Sequence, residues 1–199
     1  MKPTLVLEDF VRSANSLGVD VATVRAVREV EAKEGGFDSN GKCRILFEAH
    51  QFGKYSGHRF NDSHPTISCR SWSDAKKYYA KGADADIRNA KEWLRLEEAM
   101  GLDLQAAIKS ASWGLFQIMG FNHSAAGFNT PEEFRDAMES SEGAQLDAFV
   151  DFLKKDRGGA QQRALQRKSW SEFANMYNGP GYADNNYHTK LKAAWEKYS

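Results

Sequence analysis

The chain has 199 residues, 41% of them hydrophobic, with 12 Phe, 7 Tyr and 5 Trp, and its 27 Lys and Arg balance its 27 Asp and Glu. That size is enough to bury a core in one domain. Zero net charge gives no basic field for nucleic acid and no acidic excess to keep the chain unfolded, and no apolar stretch reaches membrane-spanning length. The N-terminal MKPTLVLEDF has one Lys and an apolar run broken by Glu8 and Asp9, which is unlike a secretory signal. The expectation is a single domain over 1–199, monomeric, with no separate binding module, no nucleic-acid partner and no membrane insertion. It is expected to be made in a cytoplasm without a signal peptide.

The pattern is mostly helical. Leu7 to Leu17 is amphipathic and stops at Gly18. Asp20 caps the next segment, 21–33, in which Val24, Val27 and Glu31 share one face. Residues 45–55, ILFEAHQFGKY, fit a helix, although CRILF also reads as the start of a strand. Residues 57–70 are turn-rich, a loop or a small hairpin. Helices are predicted at about 73–81, 86–100 and 103–110. Thr130, Pro131 and Glu133 form a capping box that opens 131–139. Further helices are predicted at 142–156, 159–168, 170–178 (Ser169 and Glu172 as a second box) and 184–198.

Three blocks carry possible chemistry. In the first, Glu31 closes a Val-rich stripe and Glu48 sits in the apolar run ILFEAH, across a turn containing Gly35, Gly36 and Gly41. Carboxylates on apolar faces are either ion-paired, here with Arg28 or Arg44, or kept for acid–base work on a glycosidic bond. Spacing alone leaves both open. The second block, SASWGLFQIMGFNH (110–123), is a groove wall or a tightly packed buried helix with Trp113, Phe116 and Ile118 as core. As a groove wall it offers Trp113, Phe116, Gln117, Ile118 and Asn122 to a sugar ligand, with Gln117 the hydrogen-bonding amide. The third, around Asn178-Gly179-Pro180-Gly181, is a stiff turn flanked by Tyr177, Tyr182 and Tyr187, either a sugar-stacking edge or a plain connector.

Taken together, and in this order, the blocks resemble the N-acetylmuramidase family of phage endolysins, in the lysozyme superfamily. That family carries a glutamate before a Gly-x-Gly-Phe turn, then ILFE-x-H-x-F, a GLFQIMG segment and a YNGPGY-like loop. The matching stretches here are Glu31 before EGGF, ILFEAHQF (45–52), SWGLFQIMGFN (112–122) and MYNGPGYADNNYHTKL (176–191), from about residue 20 to the C-terminus. GLFQIMG also resembles goose-type lysozymes and lytic transglycosylases, so ILFEAHQF is the more specific flag. Glu34 stands where the family typically has its first glycine; Glu31 is preferred over it because it lies on the Val24/Val27 stripe.

The resemblance implies a mostly α, lysozyme-like domain with at most a small β-hairpin near the cleft. It implies Glu31 as general acid and Glu48 as second carboxylate. The bond cut would be the β-1,4 linkage between N-acetylmuramic acid and N-acetylglucosamine in bacterial peptidoglycan, with no cofactor or metal. It fits a phage lysin that reaches the wall once the membrane is permeabilised. His50 falls among the groove residues, behind Glu48 or packed, because the H-E-x-x-H spacing of a zinc site is absent. Cys43 and Cys69 are expected to be reduced and without a nucleophile's surroundings. The acidic run 132–151 and basic run 154–168 read as solvated helix faces. The rivals are a lytic transglycosylase with one acid/base Glu and an inactive wall-binding domain.

Overall fold

Residues 2–32, 34–79, 81 and 84–199 are described by a computed structural model. Residues 33 and 80, inside two of the predicted helices, lie outside the described residues. Helix α1 (Leu7–Leu17) ends at Gly18, whose φ of 70° only glycine adopts cheaply. Helix α2 (Val21–Glu31) starts at Asp20, whose carboxylate accepts the Thr23 N–H at 2.7 Å and the Thr23 hydroxyl at 2.6 Å. The same carboxylate takes the indole N–H of Trp195 at 3.2 Å and faces Lys168 at 3.1 Å. Val24, Ala26, Val27 and Val30 are buried, so the apolar stripe sinks α2 into the core and leaves Glu31 at its last turn.

The ambiguous run at 45–55 divides into both of its readings. Strand β1 (Ile45–Phe47) alternates, with Ile45 and Phe47 buried, and helix α3 (Ala49–Tyr55) follows. Glu48 is the junction residue, and its backbone N–H is tied to the Ser110 carbonyl at 2.9 Å. Residues 57–70 form turns. Helix α4 (Trp72–Ala75) and a 3₁₀ turn (Lys76–Tyr78) stand where one helix was predicted. Helices α5 (Ala85–Leu102) and α6 (Leu104–Lys109) are separated by Asp103, which caps α6 through the Ala106 N–H at 3.0 Å.

The segment at 110–123 is not a buried helix. Strand β2 (Ala111–Trp113) turns through residues 114–117 into β3 (Ile118–Met119), and the antiparallel order is β1-β2-β3. Two left-handed residues in the turn, Gly114 at φ 68° and Gln117 at φ 49°, break the helical path. Ile45 pairs with Trp113, and Trp113 with Ile118. The expected hairpin is therefore two strands of a three-stranded sheet.

Helix α7 (Pro131–Met138) opens on Thr130, which accepts the Glu133 N–H at 3.1 Å. Helix α8 (Glu142–Lys155) puts Leu146, Phe149, Val150 and Leu153 in the core. Helices α9 (Ala160–Gln166), α10 (Trp170–Asn178) and α11 (Tyr187–Tyr198) complete the shell. The Ser169–Glu172 box does not cap α10: the Ser169 hydroxyl accepts no backbone N–H of the helix, and Glu172 binds Arg167 at 2.8 and 3.1 Å. Helix α11 starts after the predicted 184 because a 3₁₀ turn (Pro180–Tyr182) and left-handed Asn186 precede it.

Candidate active-site groove

Two cavities of about 560 and 550 Å³ adjoin and share three lining residues, Glu31, Gln117 and Tyr187. Together they form a groove with the Glu31 carboxyl at the middle. The first cavity runs past Arg44, Leu46, Tyr79, Arg88 and Glu92; the second past Phe116, Ile118, Asn122, Tyr177 and Asn178.

The loops beside Glu31 contain two glycines, Gly36 and Gly114, that have no room for a Cβ. Gly36 O accepts the Arg44 N–H at 2.9 Å, and Arg44 O accepts the Gly114 N–H at 2.8 Å. Behind this floor sits the buried amide of Gln145. It accepts the Leu115 N–H at 2.7 Å and donates to Met138 O at 2.7 Å. A Cβ at Gly36 would lie 2.0 Å from its Oε1, and one at Gly114 would lie 2.6 Å from its Cδ. Glu142, also buried, takes the Gly36 N–H at 2.7 Å and the Leu5 N–H at 3.1 Å. Both loops are thus pinned to the first turns of α8.

Glu31 Oε1 accepts a hydrogen bond of 3.0 Å from Asn178 Nδ2, at the end of α10. Beside it, the Tyr177 hydroxyl donates to Phe116 O at 2.9 Å, and the Tyr177 ring stacks on Phe173 and meets Phe149 edge-on. Phe116 stacks on Phe149 with centroids 4.0 Å apart. Burial, with the charge of Glu31 adding to it, pushes the Tyr177 phenol up, so it stays a donor at any ordinary pH.

Glu48 is held differently. The Tyr79 hydroxyl donates to Glu48 Oε2, and His50 Nδ1 lies 3.1 Å from the same oxygen. Burial and then the Glu48 contact push the Tyr79 phenol up. Tyr79 lines the groove, while Glu48, 17% exposed, stands one residue back from its surface.

Of the other residues expected at the groove, Phe116, Ile118, Asn122, Tyr177, Asn178 and Tyr187 line it. Trp113 does not, and that expectation is corrected: it is fully buried, its indole N–H donates to Ile108 O at 3.1 Å, and Trp93 and Phe134 pack edge-on against it. Tyr182 lines neither cavity and packs edge-on against His188, and His50 lies with Glu48 rather than on the surface. Gln117 lines both cavities, yet its amide has partners in the chain: Ser112 Oγ donates to it at 2.7 Å, and it donates to Gly114 O at 2.9 Å and Arg44 O at 3.3 Å. Glu34 is 60% exposed and faces Arg44 and Arg88. Both cysteines are free and buried, and burial pushes the Cys43 thiol up, the wrong direction for a nucleophile.

Sequence reasoning missed Tyr79, Arg88 and Glu92. The spacing of Arg88 and Glu92, four apart on α5, was a signal that both face one side. Nothing in KKYYA marked Tyr79.

A helical domain with a small antiparallel sheet at one lip of an open groove, and a carboxyl at the groove's centre, is the lysozyme-like class of glycoside hydrolase. The N-acetylmuramidase family profile matches residues 20–199, and the chain belongs to that family. Its structure is similar to the crystal structure of the Burkholderia AP3 phage endolysin, with a TM-score of 0.84 and 37% identity over 98% of this chain and 71% of that one. No curated protein matches. The chain is a glycoside hydrolase directed at peptidoglycan.

Proposed function

We propose that the protein hydrolyses the β-1,4 bond between N-acetylmuramic acid and N-acetylglucosamine, as an endolysin acting on the wall after the membrane is breached. The observation that carries this reading is the position of Glu31 where the two cavities meet. A glycan laid along the groove puts a glycosidic oxygen over that carboxyl. Glu31 lies at the C-terminal end of α2, where the helix dipole disfavours negative charge, and Asn178 fixes its Oε1. Glu31 gives its proton to the leaving oxygen as the C–O bond breaks. Glu48, its carboxylate oriented by the Tyr79 hydroxyl at Oε2, supplies the negative charge that offsets the cation at the sugar carbon and takes the proton of the attacking water. Among the described residues no helix is long and apolar enough to cross a membrane.

One observation favours a second reading, a lytic transglycosylase that uses Glu31 alone: Glu48 stands behind Tyr79 rather than on the groove surface. Mass spectrometry of fragments released from purified peptidoglycan separates the two. Reducing muramic acid ends are expected. Anhydro ends would establish the transglycosylase, and peptide cuts without glycan cuts would sink both.

A further inference from the structure

We propose that Arg44 and Arg88 form a carboxylate-binding site in the first cavity for the acidic substituent of the glycan. This rests on reading the groove as a glycan site, and it assigns the acid-bearing sugar to one side of Glu31. The ligand chemistry is a carboxylate on the muramic acid, either its own lactyl group or the peptide attached there.

The two guanidinium groups come from different elements. Arg44 precedes β1 and is fixed by its backbone bonds to Gly36 and Gly114 and by Asp86 at 2.8 Å; Arg88 lies on α5. Both line the cavity. They converge on Glu34, at 3.9 Å from Arg44 and 3.7 Å from Arg88. Charge-assisted hydrogen bonds run at about 2.7–2.9 Å, so Glu34 is held loosely and in water. Arg44 Nε is buried and has no acceptor among the described residues. Besides the shared Glu31, the other acidic group of this cavity, Glu92, is engaged by Arg95 at 2.8 Å and the Phe47 N–H at 3.2 Å.

Beyond the shared Glu31, the second cavity is lined by Phe, Ile, Met, Tyr, Asn and Gln side chains, with Asp156 and Arg157 paired at 3.4 Å. Apart from Glu31, which the two halves share, one half of the groove therefore carries two guanidinium groups beside Glu34 and Glu92, and the other a single guanidinium group paired with its neighbour. The substrate has the same asymmetry, an acid-bearing sugar alternating with a neutral one. Glu34 occupies the place that the substrate carboxylate takes on binding, where a planar guanidinium pair can bind it in bidentate fashion.

The test compares kcat/KM on intact peptidoglycan, on strands stripped of peptide by an amidase, and on stripped strands whose lactyl carboxylates have been converted to amides. In Arg88→Gln the ratio of acidic to amide-capped strands should fall roughly tenfold, the scale of one charge-assisted hydrogen bond. In Glu34→Gln it should rise, and that variant carries the test if Arg88→Gln fails to fold. A shift confined to intact peptidoglycan names the peptide carboxylate; one also present on stripped strands names the lactyl group. Ratios equal in wild type and both variants overturn the site. A wild type that cuts none of the glycans overturns the groove reading instead.

Discussion

Glu31 and Asn178 are 147 residues apart in sequence and 3.0 Å apart in space, each the last residue of its helix. The acid is thus aimed by a residue from the far end of the chain. Glu31→Gln should fold normally and lose lytic activity by about two to four orders of magnitude. Asn178→Ala should keep its melting temperature and KM while kcat falls about tenfold, because the carboxyl is left free to rotate. Steady-state rates on purified peptidoglycan decide, and an active Glu31→Gln would move attention to Glu34.

Glu48→Gln should be close to neutral for stability, because Glu48 meets a hydroxyl and an imidazole rather than a Lys or Arg that its loss would strand. Turnover should fall all the same. Tyr79→Phe should lower kcat less, and the double variant should be no worse than Glu48→Gln alone, since Tyr79 acts through that carboxylate. Additive losses in kcat would make Tyr79 an independent contact.

Gln117→Ala is expected to cost about 1–2 kcal/mol, because it deletes the side-chain bonds to Ser112, Gly114 and Arg44 that close the hairpin turn. Gln117→Gly should recover part of that loss, since glycine takes a φ of 49° without strain. Thermal unfolding of the two variants is the measurement. A Gln117→Ala protein as stable as wild type but slower on substrate would show that the amide serves the ligand first.

Asp20 governs behaviour in acid. Burial alone would raise its pKa, but hydrogen bonds from Thr23, Lys168 and Trp195 outweigh it and hold the group at about 2, below the ordinary 3.8. A depressed folded pKa means stability that is present above about pH 4 and lost as the pH falls toward 2. Asp20→Asn should flatten the stability profile in that window, read by melting temperature against pH. Asp20→Ala should cost about 1 kcal/mol at neutral pH through the lost cap.

The helices were legible where caps and stripes agreed: Asp20 with Val24 and Val27 gave α2, and Thr130 with Pro131 gave α7. The sheet was not, because strands of two or three residues carry too little alternation to stand out from a buried run. Trp113 was misplaced for a related reason: all three residues of β2 are buried, and nothing in the run SASWGLFQIMG marks which of its apolar side chains reach the groove and which stay in the core. The place of Glu31 in the groove was legible only through its stripe and the family resemblance together, since spacing alone left an ion pair open. Tyr79 and the Arg44–Arg88 pair were not, since they meet the groove only through tertiary packing of segments far apart in sequence.

Gln145 fills the space that a methyl group would need at Gly36 and at Gly114 alike. The three positions therefore share one pocket of volume, and substitutions at them should be strongly non-additive. A smaller residue at 145 makes room for alanine at either glycine while stranding the Leu115 N–H and the Met138 carbonyl. Variation can reach the groove's rim residues one at a time, but its floor can change only in concert.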